Sequence, residues 1–470
     1  MPYHFSPPSG WMNDPNGLIY FDGEWHLFYQ HLPPGETRQH WGHAVSRDLL
    51  QWEHLPIALY PDELGSIWSG SVVVDEHDSS GFFAGGCGLV AFFTHQVESA
   101  QRQSLAYSRD RGRTWTKYAG NPVLTSSSPD FRDPKVIWFP PANAWVMVVT
   151  AGSQVQFYHS TNLTAWMYAG CFGPGWAPSN WTWECPDLFT LPLDGDPANL
   201  LWVLHASLII PPPADQGPQP LGHSQERYFI GAFDGRQFTP LAGANQPGGW
   251  PTNYGADDYA AIVFSNAPQD ERLLLGWMGH WAYAWPAHHQ GKREWMTLPR
   301  RLSLRRTPAG IRLCQQPLSP FANPRPLWDT LSLDSERRAW PAPTGEAFVL
   351  QAEFEAGDAA EFGFILRQGG VQQTVIGYDA ASQSLFVDRT QAGDASFHPQ
   401  FAARHAAPLA LPQGRLRLSI FADACSVEVT ANEGEVCITD LIYPDPQSQG
   451  LQVYSHHGRV HLLHSTLSQP

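Results

Sequence analysis

Residues 11–30 read "WMNDPNGLIYFDGEWHLFYQ": two apolar runs joined by Asp22-Gly23, led by an acid wedged between an amide and a proline. Asp-Gly between apolar runs is a strong signal for a tight β-hairpin. The same arrangement returns four times. "WSGS" (68–71) opens "VVVD" and then "GLVAFFTH", and "FRDPK" (131–135) opens "VIWF" and "AWVMVVT". "WECPD" (183–187) opens "LFTL" and "LLWVLHA", and "YGADDYA" (254–260) opens "AIVF" and "RLLLGWM". With Asp14, Ser69, Asp133, Glu184 and Asp257 as markers, the intervals are 55, 64, 51 and 73 residues. A repeat of several short strands at such a period marks propeller blades. A second repeat agrees: "AVSRDLLQW" (44–52), "AYSRDRGRTW" (106–115) and "YHSTNLTAW" (158–166) each join a strand, a Ser-led polar turn and a closing Trp.

The fold class expected is therefore all-β, a five-bladed β-propeller over 1–304. The inner strand of each blade lies beside the propeller axis, so residues opening those strands converge at one mouth. The Pro-rich stretch 305–335 reads as a linker. Over 336–470, runs such as "EAFVLQAEFE" (346–355) and "RLRLSIF" (415–421) alternate with period two between polar turns, which predicts a C-terminal antiparallel β-sandwich.

Composition narrows the function. The net charge is −16 with no basic run, which argues against nucleic acid and anionic membranes as partners. No apolar stretch is long enough for a membrane-spanning helix. "MPYHFSPPSG" has neither a basic n-region nor an apolar h-region, so a cytoplasmic location is expected. The six cysteines show no CxxC spacing, which fits reduced thiols and no zinc site. His288-His289 stand without carboxylates at ligand spacing, so no metal is expected there.

Acids converging on one pocket can cleave a glycosidic bond if one stays ionised and another carries a proton. Asp14, set among Asn13, Asn16 and backbone amides, reads as the charged nucleophile. Glu184, between Trp183 and Cys185-Pro186, reads as the acid/base with its pKa raised by apolar surroundings. Asp133, beside Arg132, reads as a fixed anion that steadies a developing oxocarbenium ion. No cofactor is needed.

"WMNDPNG", "FYQ", "WSGS", "RDP" and "EC", in this order, resemble the β-fructofuranosidases of glycoside hydrolase family 32. The likeness continues through "HWGHAVSRDLLQWEHLPIAL" (40–59), "GWMGHWAY" (276–283) and "FADACSVEVTANEGE" (421–435). It implies a five-bladed propeller plus sandwich, a retaining reaction through a fructosyl–enzyme intermediate, and sucrose or a fructan as the small-molecule partner. By resemblance, Asp14 is the nucleophile, Asp133 the transition-state stabiliser and Glu184 the acid/base. Fructosyl-binding positions fall on Asn13, Gln30, Trp41, Ser69, Arg132 and Asp257, with Trp68 and Trp281 as aromatic walls and Trp11 as a further contact. Two departures stand out: Asp258 where the family usually has an aromatic, and the Pro-rich insertion 206–226, which could shape one rim of the pocket. The alternatives are a fructosyltransferase, a hydrolase of sucrose 6-phosphate using Arg38, Lys292 and Arg293, and a lectin-like propeller. The last predicts loss of at least one of the three acids, and all three are present.

Overall fold

The structure, a computed structural model, describes residues 3–128, 130–211 and 223–470. Two Asp-Gly pairs turn hairpins as expected. Asp22 and Gly23 have φ of 48° and 86°, and Asp194 and Gly195 have 55° and 77°, the double left-handed geometry that matches strand twist. Trp11–Phe21 pairs with Glu24–Leu32, then His40–Ser46 and Trp52–Leu59, to form the first blade. Ser66–Asp75 and Phe131–Phe139 are the inner strands of the second and third. The fourth and fifth blades, opening on Thr182–Leu193 and Tyr259–Val263, share one sheet through a single parallel pair, Leu193 with Leu304.

The Ser-led turn is built the same way three times. Ser46, Ser108 and Ser160 hydroxyls each accept backbone N–H bonds from the turn. The closing Trp52, Trp115 and Trp166 each donate an indole N–H to a turn carbonyl, at 3.1, 3.0 and 3.0 Å. This local chemistry fixes the corner of each blade without help from its neighbours. The ring is closed where Ser265 exchanges backbone bonds with Leu18 and Tyr20 at 2.9 and 3.0 Å. At the axis Lys135 Nζ donates to Asp187 Oδ2 and to the Val263 carbonyl, both at 3.0 Å, tying three blades together.

The stretch expected as a linker is mostly strand. Arg300–Thr307 and Gly310–Pro317 form a hairpin that completes the fifth blade, and Arg325–Pro326 and Leu331–Asp334 pair with the last strand of the sandwich. Pro317 and Pro326 end strands and Pro308, Pro320 and Pro324 lie between them, where a missing N–H costs no ladder bond. The sandwich stacks a seven-stranded sheet on a six-stranded one around Phe348, Leu350, Phe354, Phe362, Phe364 and their neighbours.

Charged groups brace the fifth blade from within and join the propeller to the sandwich. Asp258 takes a bidentate grip from Arg300 at 2.7 and 2.8 Å, both wholly buried, which accounts for the acid at a position where an aromatic is usual. A Cβ on Gly276 would lie 2.2 Å from Asp258 Oδ1, so only glycine fits opposite. Near the N-terminus His4 is clamped between Asp423 (2.8 Å) and Glu428 (2.9 Å) of the sandwich. Burial alone would lower its pKa, but the Asp423 charge and the hydrogen bonds its ring donates to both acids prevail and raise it to about 9. A raised cation pKa stabilises the fold fully below pH ~6.5 and stops doing so as pH climbs through about 9. His4→Gln is therefore expected to cost on the order of 3 kcal/mol at pH 6. In thermal melts the gap to the parent should narrow steadily between pH 7 and 10.

Candidate active site

The inner strands all lose register with their neighbours near the mouth. The slips fall between Met12 and Pro15, Trp68 and Gly70, Arg132 and Lys135, Glu184 and Asp187, and Tyr259 and Ile262. In the third and fourth the cause is visible in the motif: Pro134 and Pro186 have no N–H for the ladder. Bulging re-aims the side chains, and Asp133, Cys185 and Ala260 take left-handed φ of 63°, 43° and 55° there. These three residues are thus equivalent, as are Arg132, Glu184 and Tyr259 just before them. The fifth-blade counterpart of Glu184 is Tyr259, two residues beyond the Asp257 suggested by sequence, and the markers Asp133 and Glu184 are themselves offset by one position.

Two of the three acids meet at one sulfur, and an arginine ties in the third. The Cys185 thiol lies 3.5 Å from Asp14 Oδ2 and 3.8 Å from Asp133 Oδ2, and the Cys185 backbone N–H donates to Asp133 Oδ2 at 3.0 Å. Asp14 accepts from Ser69 Oγ at 2.6 Å and Asn13 Nδ2 at 2.9 Å. Arg132 stands between the other two acids: its Nε and Nη2 donate to Glu184 Oε1 at 3.2 and 2.9 Å, and its Nε is 3.8 Å from Asp133 Oδ2. The second Glu184 oxygen accepts from the Tyr259 hydroxyl at 2.5 Å.

This corrects the environments read from sequence. Asp14 does not sit at a low pKa: burial raises it, the Ser69 hydrogen bond opposes, and the Glu184 charge raises it further. Burial likewise lifts Asp133 to about 7, against the pull of Arg132 and with the push of Glu184 and Asp14. Glu184 is not in apolar surroundings, since a guanidinium and a phenol hold its two oxygens. Beside Arg132 and Asn13, the neighbours that act on these charges, Ser69 on Asp14 and Glu184 on both, come from other blades.

The remaining predicted residues divide. Asn13, Ser69 and Arg132 hold the acids directly. Gln30 stands in the strand opposite the Asn13–Asp14 bulge, and its buried Nε2 has no partner among the described residues. Trp41 is 0% exposed among Phe28, Leu59 and Phe93, so it presents no face to a sugar. Its indole N–H instead holds the carbonyl of the half-buried Trp68 at 3.0 Å. Trp281 packs on Trp277, Trp11 and Tyr259 with ring centroids 4.8, 6.3 and 6.4 Å away, one step from Glu184. Trp11 donates to Asn13 at 2.8 Å. Asp257 is not at the mouth: it is wholly buried, bonded to Tyr283 and to Arg389 of the sandwich.

Sequence reasoning missed Tyr259, the Cys185 backbone N–H, and Asp130, which accepts from Arg132 at 2.6 Å. Only the blade repeat, aligned on the residue before the bulge, could have found Tyr259. His288 does have a carboxylate, Glu294 at 2.7 Å. Among the described residues no group of three or more His, Cys, Asp or Glu is placed to hold a metal. Arg38 and Arg293 donate to the Asp62 and Pro7 carbonyls, and Lys292 pairs with Asp394. The insertion 206–226 lies partly outside the described residues, so its effect on the rim does too.

Residues 4–317 match the family profile "Glycosyl hydrolases family 32 N-terminal domain", and 325–469 match "Glycosyl hydrolases family 32 C terminal". The chain is 44% identical over 480 residues to a levanase of Bacillus subtilis (strain 168), covering 99% of this chain and 69% of that protein. It is 38% identical to an extracellular exo-inulinase of Aspergillus ficuum, covering 94% and 89%. Its fold superposes on the crystal structure of an exo-inulinase from Aspergillus awamori with a TM-score of 0.87 at 35% identity, covering 99% and 98%.

Proposed function

Because the chain belongs to glycosyl hydrolase family 32, it is a β-fructofuranosidase-type glycoside hydrolase, and we propose that it releases fructose from β-fructans and sucrose by double displacement at Asp14 and Glu184. The observation that carries the reading is the bracketing of Cys185 by Asp14 and Asp133, with Arg132 bridging Asp133 to Glu184. An anion, a second anion and a proton carrier from three blades then face one sugar ring.

In the first step the Asp14 carboxylate bonds to the anomeric carbon. The glycosidic bond breaks, and the leaving oxygen takes a proton from Glu184. In the second, Glu184 takes a proton from water, whose oxygen displaces Asp14 and restores the starting configuration. Asp133 stays close to the positive charge that develops on the ring in both steps. The likeness to a levanase and to exo-inulinases favours fructans over sucrose as the preferred substrate.

Side-by-side digestion of levan, inulin and sucrose tests this. Free fructose is expected from all three, faster from a fructan than from sucrose, with the β-anomer appearing first by NMR. Oligofructosides as the main product at high sucrose would instead identify a transferase, and an α-anomer formed first would refute double displacement.

A further inference from the structure

We propose that the β-sandwich sets the aromatic wall of the fructosyl site, with Arg389 acting through Tyr283 as a positioning residue for Trp281. The inference rests on the reading of Trp281 as part of that wall.

Arg389 lies on Ser384–Gln391, a strand of the six-stranded sandwich sheet, and is wholly buried. Its Nη1 donates to Asp257 Oδ2 at 2.5 Å and to the Leu441 carbonyl at 3.0 Å. Its Nη2 donates to the Tyr283 hydroxyl at 2.9 Å, and that hydroxyl donates to Asp257 Oδ1 at 2.6 Å. Guanidinium, phenol and carboxylate so form a closed ring of hydrogen bonds across the interface between the two units. The guanidinium also lies 4.1 Å from the ring centroid of Phe401, which fixes its plane.

Tyr283 is two residues from Trp281 in one tight turn. The Tyr283 and Ala284 N–H groups donate to the His280 carbonyl at 3.1 and 2.9 Å, and the Ala282 N–H donates to His280 Nδ1 at 3.1 Å. Holding the phenol therefore holds the turn. Trp281 projects from it onto Trp277, Trp11 and Tyr259, and Tyr259 touches Glu184.

Apolar packing holds Tyr283 against Phe397 and Phe401, and the latch adds direction to that contact. Behind it a small cavity is lined by Trp277, Met278, Gly279, Tyr283, Leu441 and Tyr443. Burying a guanidinium and a carboxylate is costly, and a latch of fixed direction is what such a pair supplies better than apolar contact. The misplaced sequence marker Asp257 thus has a role: it is the propeller's half of the latch.

The test is a double-mutant cycle on Tyr283→Phe and Trp281→Ala, read as KM and kcat on levan alongside thermal melts. Tyr283→Phe keeps the ring and its volume but breaks the latch. It is expected to raise KM about 3- to 10-fold with kcat within about twofold, the size of one aromatic contact. Trp281→Ala is expected to raise KM at least as much, and the double variant no further, because the two act through one group. Arg389→Lys keeps a charge against Asp257 without the fork and is expected to reproduce the KM rise. A lower melting temperature for Tyr283→Phe with parental KM would overturn the proposal, leaving a purely structural latch. Additive effects in the double variant would overturn it too. Parental KM for Trp281→Ala would remove Trp281 from the sugar site, and the inference with it, while leaving the Asp14 and Glu184 chemistry untouched.

Discussion

Asp14→Asn is expected to lower kcat on levan and on sucrose by on the order of 10⁴-fold, because it removes the proposed nucleophile. The substitution is nearly isosteric. The Asn13 amide, at 2.9 Å from Oδ1, keeps an acceptor oxygen, and the Ser69 hydroxyl, at 2.6 Å from Oδ2, can turn to accept from the new amide N–H, so near-ultraviolet circular dichroism should match the parent. Glu184→Gln is expected to lose ~10²- to 10⁴-fold, the usual worth of a positioned proton donor. Single-turnover kinetics on levan check both. An Asp14→Asn protein that still turned over at a tenth of the parental rate would move the nucleophile elsewhere.

Asp133→Asn is expected to split activity from stability. Activity should fall ~10²- to 10³-fold, since a fixed anion facing the developing cation is lost. Stability should rise in mildly alkaline buffer. The Asp133 carboxyl titrates at about 7 in the fold and near 4 in the unfolded chain. Between those values the native state holds the proton more tightly, so folding becomes less favourable as pH rises through the window, and the penalty is complete above pH ~7. An amide escapes it while still accepting the Cys185 N–H now given to Asp133 at 3.0 Å. The variant's melting temperature should therefore exceed the parent's by a few degrees at pH 8, with the gap closing towards pH 4. Equal gaps at both values would mean that Asp133 is not held against its own charge. The expectation is an instance of a site whose function is kept at a cost in stability.

The architecture was legible because it is written in local chemistry repeated five times. Asp22-Gly23 and Asp194-Gly195 dictate their turns through backbone sterics, and the Ser-led corners at 46, 108 and 160 close on hydrogen bonds within a few residues. Such signals survive in a sequence because they need no distant partner. The proline motifs at 14–15, 133–134 and 185–186 likewise announced where the ladders break. What they could not announce was alignment across blades. The slip at Tyr259–Ile262 has no proline, so the nearest acid, Asp257, stood in for the true equivalent.

Three matters belong to the tertiary structure alone. The first is which acids carry a raised pKa: the Asp14 and Asp133 carboxyls are pushed up by burial and by each other's neighbours, 119 residues apart in the chain. The second is that Trp41 is core while Trp281 stays half-buried, because an indole's exposure depends on what the next blade lays over it. The third is that Arg389, deep in the second unit, reaches the turn bearing Trp281. Sequence by itself determined the hairpin turns, most of the propeller and sandwich strands and the motifs that present the acids, since these rest on interactions between near neighbours. Charge state, exposure and the latch depend on contacts between residues that only the closed ring and the docked sandwich bring within a few ångströms.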